Sequence, residues 1–391
     1  MALALERNGE LLAARQQVAA ARGGLSQARL RPNPSLEFND AQEMSGGMNN
    51  FMIGGSVPLE LFHRRDRRVE VAAGRVRVSE FDQAENQRRL REVVASKFGE
   101  ALAATRNVQF TKDLLALNRK ALELTQIRAD QGSGTPLDAN LLRVEVSRID
   151  ALRVDFEAKL GVSLLELKSL AGMRPEEDLR LNGTLEAEAL ALDQDASLKA
   201  ALESRPDLLS ARAAERVADA RLKLARTDAR PDASISANYL RMDSRFDLNG
   251  LTATGQLRPV QGIFHYASVG FSVSLPVRNR NQGAIATAVA ELEETKRRRE
   301  YAELIAAREI AAGFLAREKA KESLDIYRVG VRERAGQNLE VIRRTYELGR
   351  TQLLDVIAEQ RRFIDIEMGY TDTLNRYYQA SVRVQAAADR W

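Results

Sequence analysis

Two aspartates occupy matching places in this chain. Asp138 lies six residues after Gly132 in QGSGTPLD, and Asp355 lies six residues after Gly349 in ELGRTQLLD. Carboxylates placed in this way support two kinds of chemistry. Gathered from several copies around a narrow axis, they would attract cations and repel one another. They would then hold Arg, Lys or divalent partners most strongly where the passage is tightest. They also serve as helix caps, since Thr135-x-x-Asp138 has the spacing of a capping box with Pro136 at the first helical position. The two roles can coexist. Met44, Met48 and Met52 could offer soft thioether ligands, although filling loop and strand gaps is the commoner use of methionine. His63 and His265 stand one in each half. The chain has no cysteine, which excludes disulfides and thiolate sites. It contains no P-loop, G-x-S-x-G or H-E-x-x-H motif. These residues assemble no catalytic constellation, and neither an enzyme, a cofactor nor a resident metal site is expected.

The elements that must position these groups are mostly helical. Of 391 residues, 44% are hydrophobic and 29% charged, with 5% aromatic and only 9 prolines, a composition suited to helix-on-helix packing. The net charge of +4 is mild, and Lys and Arg alternate with Glu and Asp, so nothing marks a nucleic-acid binder. The opening MALALERNGELLAAR is amphipathic and has no apolar signal core; an exported chain of this kind would have lost its signal sequence. No run of about 18 apolar residues exists, so no membrane-spanning helix is expected, but a spanning β-barrel remains open.

The chain reads as two copies of one plan. LALERNGELLAARQQVAAARGGLSQARLRPNP (3–34) matches AALESRPDLLSARAAERVADARLKLARTDARP (200–231), including the proline that ends both segments, Pro34 and Pro231. IGGSVPLEL (53–61) then matches VGFSVSLPV (269–277). The second copy holds extra residues in RMDSRFDLNGLTATGQLRPVQG, a polar, glycine-containing stretch that reads as a loop. The first repeat is 1–196, with strands at about 35–41 and 50–59 and a tip at about 131–138. The second is 197–391, with strands at about 232–241 and 264–276 and a tip at about 347–355. Helices are expected at about 3–31, 64–131, 136–172, 197–229, 284–348 and 352–389, with a linker at 173–196.

The strands alternate cleanly. One set is Leu36, Phe38, Phe51, Ile53, Val57, Leu59, Ile235, Ala237, Tyr239, Ala267, Val269, Phe271, Val273 and Leu275; the intervening residues are mostly Ser, Gly and Asn. Apolar outward and small polar inward is the pattern of a lipid-facing barrel around a wet lumen. A small sheet packed on helices in a soluble α+β domain would show the same alternation. Lipid cannot satisfy an open sheet edge, and four strands cannot close around a lumen. Twelve strands from three copies is the smallest solution that leaves an aqueous channel.

The duplicated helix–hairpin–helix plan, the ALE…LL.AR…A…AR…P openings and the paired G-x-x-x-x-x-D tips resemble those of TolC-type outer-membrane efflux proteins over nearly the whole chain. SLPVRNRNQG (274–283) is most similar to the heavy-metal CzcC/CusC-like branch. The resemblance implies a mainly α protein with a small membrane β-barrel part: a homotrimer whose 12-stranded barrel, four strands per chain, continues into a long periplasmic α-helical barrel. It implies an outer-membrane location extending into the periplasm. It also implies an exit duct, passively conducting substrates such as heavy-metal cations, docked to a periplasmic adaptor (a membrane fusion protein) and an inner-membrane pump of the RND type. The lipid-facing strand residues would include Phe51, Ile53, Val57, Val269, Phe271 and Val273. The periplasmic gate and adaptor contact would be formed by Gly132, Ser133, Gly134, Thr135, Pro136, Leu137 and Asp138, with Tyr346, Gly349, Arg350, Thr351, Leu353, Leu354 and Asp355. Tyr346 and Asp355 match the family's gate, but its Arg is displaced to Arg350, with Thr351 in its place, and Ala358 stands where a second Asp is usual. The rival reading is a soluble periplasmic helical adaptor or scaffold.

Overall fold

The computed structural model describes residues 1–42, 44, 48–186 and 191–389; residues 43 and 45–47 of the first hairpin loop and 187–190 of the linker lie outside them. The first half runs α1 (Ala2–Arg7), α2 (Gly9–Arg29), β1 (Ser35–Gln42), β2 (Asn49–Pro58), α3 (Arg64–Asp130) and α4 (Pro136–Leu170). The second runs α5 (Gln194–Ser204), α6 (Pro206–Asp228), β3 (Asp232–Leu251), β4 (Leu257–Ser274), α7 (Gln282–Ile326), a π-helical turn (Tyr327–Val331), α8 (Arg332–Glu347) and α9 (Leu353–Ala387).

Each half was expected to begin with one helix, and each begins with two. Asn8 and Arg205, 197 positions apart, both leave the helix at φ −59°, ψ 126°. The second break has a direct cause, because Pro206 disfavours helical backbone at the residue before it. Asn8 instead restarts α2 as a cap: its Oδ1 accepts from the Leu11 N–H at 3.1 Å, and its Nδ2 donates to the Leu170 carbonyl at 3.0 Å. Arg205 is buried and bound to Asp207 at 2.6 Å and Glu309 at 2.9 Å.

The chain divides into two compact units. One comprises 1–17, 80–210 and 300–391. Its apolar seams include Leu114, Leu115, Ile149 and Ile364, and a second cluster around Leu102, Tyr370 and Leu374. Several polar groups buried in it are paired. The fully buried Glu145 accepts from Arg148 at 2.6 Å and Arg361 at 3.0 Å, and Gln360 donates to Asn118 at 3.0 Å. The rod predicted over 284–348 carries the π-helical turn, a feature with no sequence signature. It sets Tyr327 against Gly369, where a Cβ would fall 2.7 Å from the Tyr327 hydroxyl.

The other unit comprises 18–79 and 211–299. Val71, Val217 and Ala220 form its helical core, and Gly74 permits the approach, since a Cβ there would meet Val217 at 2.6 Å. Its sheet has the order β1-β2-β3-β4, all antiparallel. The register pairs Phe38 with Ile53, Ile53 with Tyr239, Val57 with Ile235, Ile235 with Phe271 and Ala237 with Val269. Directly paired residues share a face, so the apolar sets of all four strands lie on one side. Phe38 and Phe51 meet there edge-on, with ring centroids 5.0 Å apart. The other side carries Gly54 with Asn238, Ser56 with Ser236, and Ser234 with Ser272. Leu275, expected in the strand, follows its last residue.

One expectation fails. The stretch read as a loop, 241–262, is mostly strand: β3 and β4 stay paired from Asp232/Ser274 out to Leu251/Leu257, with a bulge after Phe246 and a tight turn at 252–256. Polarity misled the reading, because a strand wet on one face alternates just as well with its hydrophobic positions shifted by one.

Two glycines of α4 and its C-terminus should respond in opposite ways. Gly172 ends the helix at φ +66°, and a Cβ there would lie 2.5 Å from the Arg7 carbonyl. Gly172→Ala should lower stability by roughly 1–3 kcal/mol. Gly161, helical with open space around it, should gain about 0.5–1 kcal/mol on Gly161→Ala. Thermal melts of both variants in detergent check the pair.

Candidate functional site

The two predicted tips are built alike. At the first, α3 ends in a left-handed glycine, Gly132 (φ +73°), whose N–H reaches Ala129 at 3.1 Å while the Ser133 N–H reaches back to Arg128 at 2.8 Å. At the second, Gly349 (φ +70°) donates to Tyr346 at 2.8 Å and Arg350 N–H to Thr345 at 3.0 Å. Both closures reverse the chain through a backbone conformation that only glycine adopts without strain.

The next helix is then capped. Thr135 Oγ1 accepts from the Asp138 N–H at 3.1 Å, with Pro136 opening α4. In the second tip Gln352 is the cap residue, and the Asp355 carboxylate accepts from its N–H at 3.2 Å and from Thr351 Oγ1 at 2.7 Å. The hydroxyl at position 351, where the family has Arg, is thus spent on holding the capping carboxylate. The capping Asp355 stays exposed.

The tips share one apolar seat. Leu142, Leu353 and Ile357 are buried together, with Tyr346 packed against them. Burial pushes the Tyr346 phenol pKa above its ordinary value, and the Asp138 charge adds to the rise while Arg128 opposes it. The structure therefore brings together Tyr346 and Asp138, which the sequence pointed to, and Arg128, which it did not. The available signal for Arg128 was its place in the last turn of α3, where a cation complements the helix dipole. Arg350 is exposed. Leu137 and Leu354, each five residues after its glycine, are also exposed, as is Leu348, which the sequence reading passed over.

Behind the tip lies a polar seam that spacing alone did not reveal. Glu145 bridges Arg148 on its own helix to Arg361 on α9. Arg343 is half-buried, and burial lowers its pKa against the opposing charge of Glu347. Farther along, Arg332 binds the buried Glu367, and Arg106 and Arg332 both lie over the Tyr370 ring, at 5.2 and 4.9 Å from its centroid. Among the described residues no group of three His, Cys, Asp or Glu could hold a metal ion, and no helix is long and apolar enough to cross a membrane.

The electrostatic triad is testable by titration. Asp138→Asn should move the Tyr346 phenol pKa down, because it removes a charge that disfavours phenolate. Arg128→Gln should move it up. An ultraviolet difference titration of each variant, referenced to Tyr346→Phe, reads the signs; no change in either would separate these residues.

Comparison with known proteins places these features in a wider group. The sequence profile of the outer membrane efflux proteins matches residues 1–173 and 197–389. The cobalt-zinc-cadmium resistance protein CzcC of Cupriavidus metallidurans is 22% identical over 392 residues, covering all of this chain and 89% of its own. The fold is similar to that of CusC, described as forming a transmembrane channel, with a TM-score of 0.82 at 18% identity over 99% of this chain and 90% of that one. It is also similar to the CmeC outer membrane channel of Campylobacter jejuni, with a TM-score of 0.81 at 14% identity over 99% and 84%.

Proposed function

The chain belongs to the outer membrane efflux protein family, and from that premise we propose that three copies close their sheets into a twelve-stranded outer-membrane barrel that vents heavy-metal cations. As a family member it is an outer-membrane efflux channel, working in a tripartite system with an adaptor and a pump. What the proposal adds is the stoichiometry, the facing, the tip and the cargo.

The observation that carries it is the sheet register. Phe38, Ile53, Val57, Tyr239, Ile235, Phe271 and Val269 fall on one face through direct cross-strand pairs, and Ser56, Ser236, Ser234 and Ser272 fall on the other. In the order β1-β2-β3-β4, β1 and β4 keep a free edge within the chain. Hydrocarbon offers those edges no hydrogen bonds, so a lipid-facing sheet has to close, and β4 of one copy pairing with β1 of the next closes it. Phe51, Ile53, Val57, Val269, Phe271 and Val273 then face lipid, and the serines and glycines line water.

The helices extend the duct into the periplasm, where the tips meet the adaptor. Exposed Leu137 and Leu354 offer apolar contacts to it, framed by the Gly132 and Gly349 turns, Thr135 and Thr351. Asp138 and Asp355 from three copies place six carboxylates around the mouth, and Tyr346 and Arg350 stand beside them. Such a ring favours cations, which accords with the cobalt-zinc-cadmium resistance named for CzcC. The sequence holds no nucleotide-binding motif, so energy comes from the pump, for which an RND transporter is the proposed class.

Two adjacent residues test the facing. Phe271→Arg should abolish assembly into membranes, since a charge on the lipid face costs about 2–4 kcal/mol per copy near the midplane. Ser272→Arg should assemble as a detergent-stable trimer and change single-channel conductance and its cation preference. Equal tolerance of both replacements, or a wild-type chain that stays monomeric in buffer without detergent, would remove the basis of the barrel.

A further inference from the structure

The β3–β4 ribbon reverses its faces partway along. From Ala233/Val273 to Tyr239/Ala267 the apolar residues are odd-numbered, and from the next row out to Phe246/Val260 they are even-numbered except Ile263. Leu240 pairs with Tyr266, Met242 with Phe264 and Phe246 with Val260, all on the face that carries serine and glycine lower down. The opposite face, apolar lower down, now presents Arg241, Asp243, Arg245, Gln261 and His265. The reversal occurs where the hydrocarbon should end. Ala267 to Leu275 is nine residues, and a tilted strand needs about nine to eleven to cross. Tyr239 bonds His265 Nδ1 through its hydroxyl at 2.6 Å on that boundary, the usual level for an amphipathic ring.

Above the boundary the outward face meets water, and its charges need no further explanation. The inward face does, since a plain wet duct gives no reason for Leu, Met, Phe and Tyr at its outer mouth. The ribbon also runs on alone there. The last residue of β3 paired to β2 is Arg241; beyond it, among the described residues, no third strand pairs with the ribbon, and only the side chains of Asn50 and Met48 accept from β3, at Asp243 N–H and Arg245 N–H. An isolated two-stranded ribbon is marginal in water unless its apolar face is covered. Phe264 and Tyr266 are each more than 40% exposed within one chain.

We infer that the even-numbered face of this ribbon is an outer gate: Leu240, Met242, Phe264 and Tyr266 of three copies lean together at the axis and form an apolar collar that narrows and dewets the exterior mouth. The inference rests on the barrel reading above, which sets the three ribbons around one axis with these faces toward it. The occupant of each apolar face is the same face of the other two copies. Lipid is disfavoured by Arg241, Asp243 and Arg245 on the outward side. The collar is crossed by cargo arriving from within, and it resists bulky solutes from outside when the pump is idle.

The absence of native cysteine makes the test direct. Phe264→Cys, oxidised in the purified trimer, should give a covalent dimer of chains, because two of three thiols meet at the axis. Ile263→Cys, on the outward face, should give none. Independently, Ser272→Cys places a thiol in the lumen below the collar. A bulky, membrane-impermeant maleimide added to intact cells should label it slowly, and several-fold faster when Phe264→Ser and Tyr266→Ser are added. This readout does not depend on the periplasmic tip. A trimer that conducts but shows no Phe264→Cys dimer and an unchanged labelling rate overturns the collar while leaving the barrel intact. A chain that forms no trimer overturns both.

Discussion

A backbone N–H or C=O in hydrocarbon finds no water to bond, and this single constraint organises the sheet. Within one chain β1 and β4 each keep an unpaired edge, and β1 is exposed along its whole length. A strand so bare in water would invite aggregation. In a lipid-facing wall it is the joint that recruits the next copy. The register keeps the faces apart: a slip of one residue between β2 and β3 would carry Ile53 and Val57 to the side of Ser236 and Asn238. Gly54 and Gly270 sit on the polar face where cross-strand side chains crowd, Asn238 against the first and Ser236 against the second.

The helical part answers to a different demand. Long helices packed side by side need seams of small residues and must pair whatever polar groups they bury. Ala101, Ala201 and Ala306 are almost fully buried, and Gly74, Gly313 and Gly369 admit Val217, Val384 and Tyr327 at close range. Glu145, Glu85 and Asp207 are each held by arginines. Leaving one partner of such a pair unmatched costs far more than the pair contributes. Where such a carboxylate is also shared with a second helix, as Glu145 is with Arg361, or its arginine is, as Arg205 is with Glu309, the pair helps to set which helix faces which.

The tips combine both economies. A left-handed glycine stops one helix, a hydroxyl or carboxylate starts the next, and the turn between is left with exposed leucines and aspartates. Capping and the proposed cation attraction use different properties of the same carboxylate: the cap occupies lone pairs, while the attraction would use its charge. At Asp355 the Thr351 hydroxyl takes part in the cap, while Arg350 beside it is exposed.

The sequence by itself determined most of the element types, the glycine-and-cap build of the tips and which strand residues share a face. Each rests on a local period or a local bond: alternation for Phe271 and Ser272, glycine and capping spacing for Gly132 with Asp138 and Gly349 with Asp355, heptad-like runs for α3. The tertiary structure decided what depends on residues distant in the chain. It ran β3 and β4 through a stretch whose polarity read as loop, because a strand's partner, not its composition, makes it a strand. It set Tyr346 beside Asp138 and Arg128, Glu145 against Arg361, and Tyr370 under two guanidiniums, contacts that no spacing encodes. It broke α7 from α8 with a π-helical turn that begins at Tyr327, whose ring packs where Gly369 on another helix leaves room.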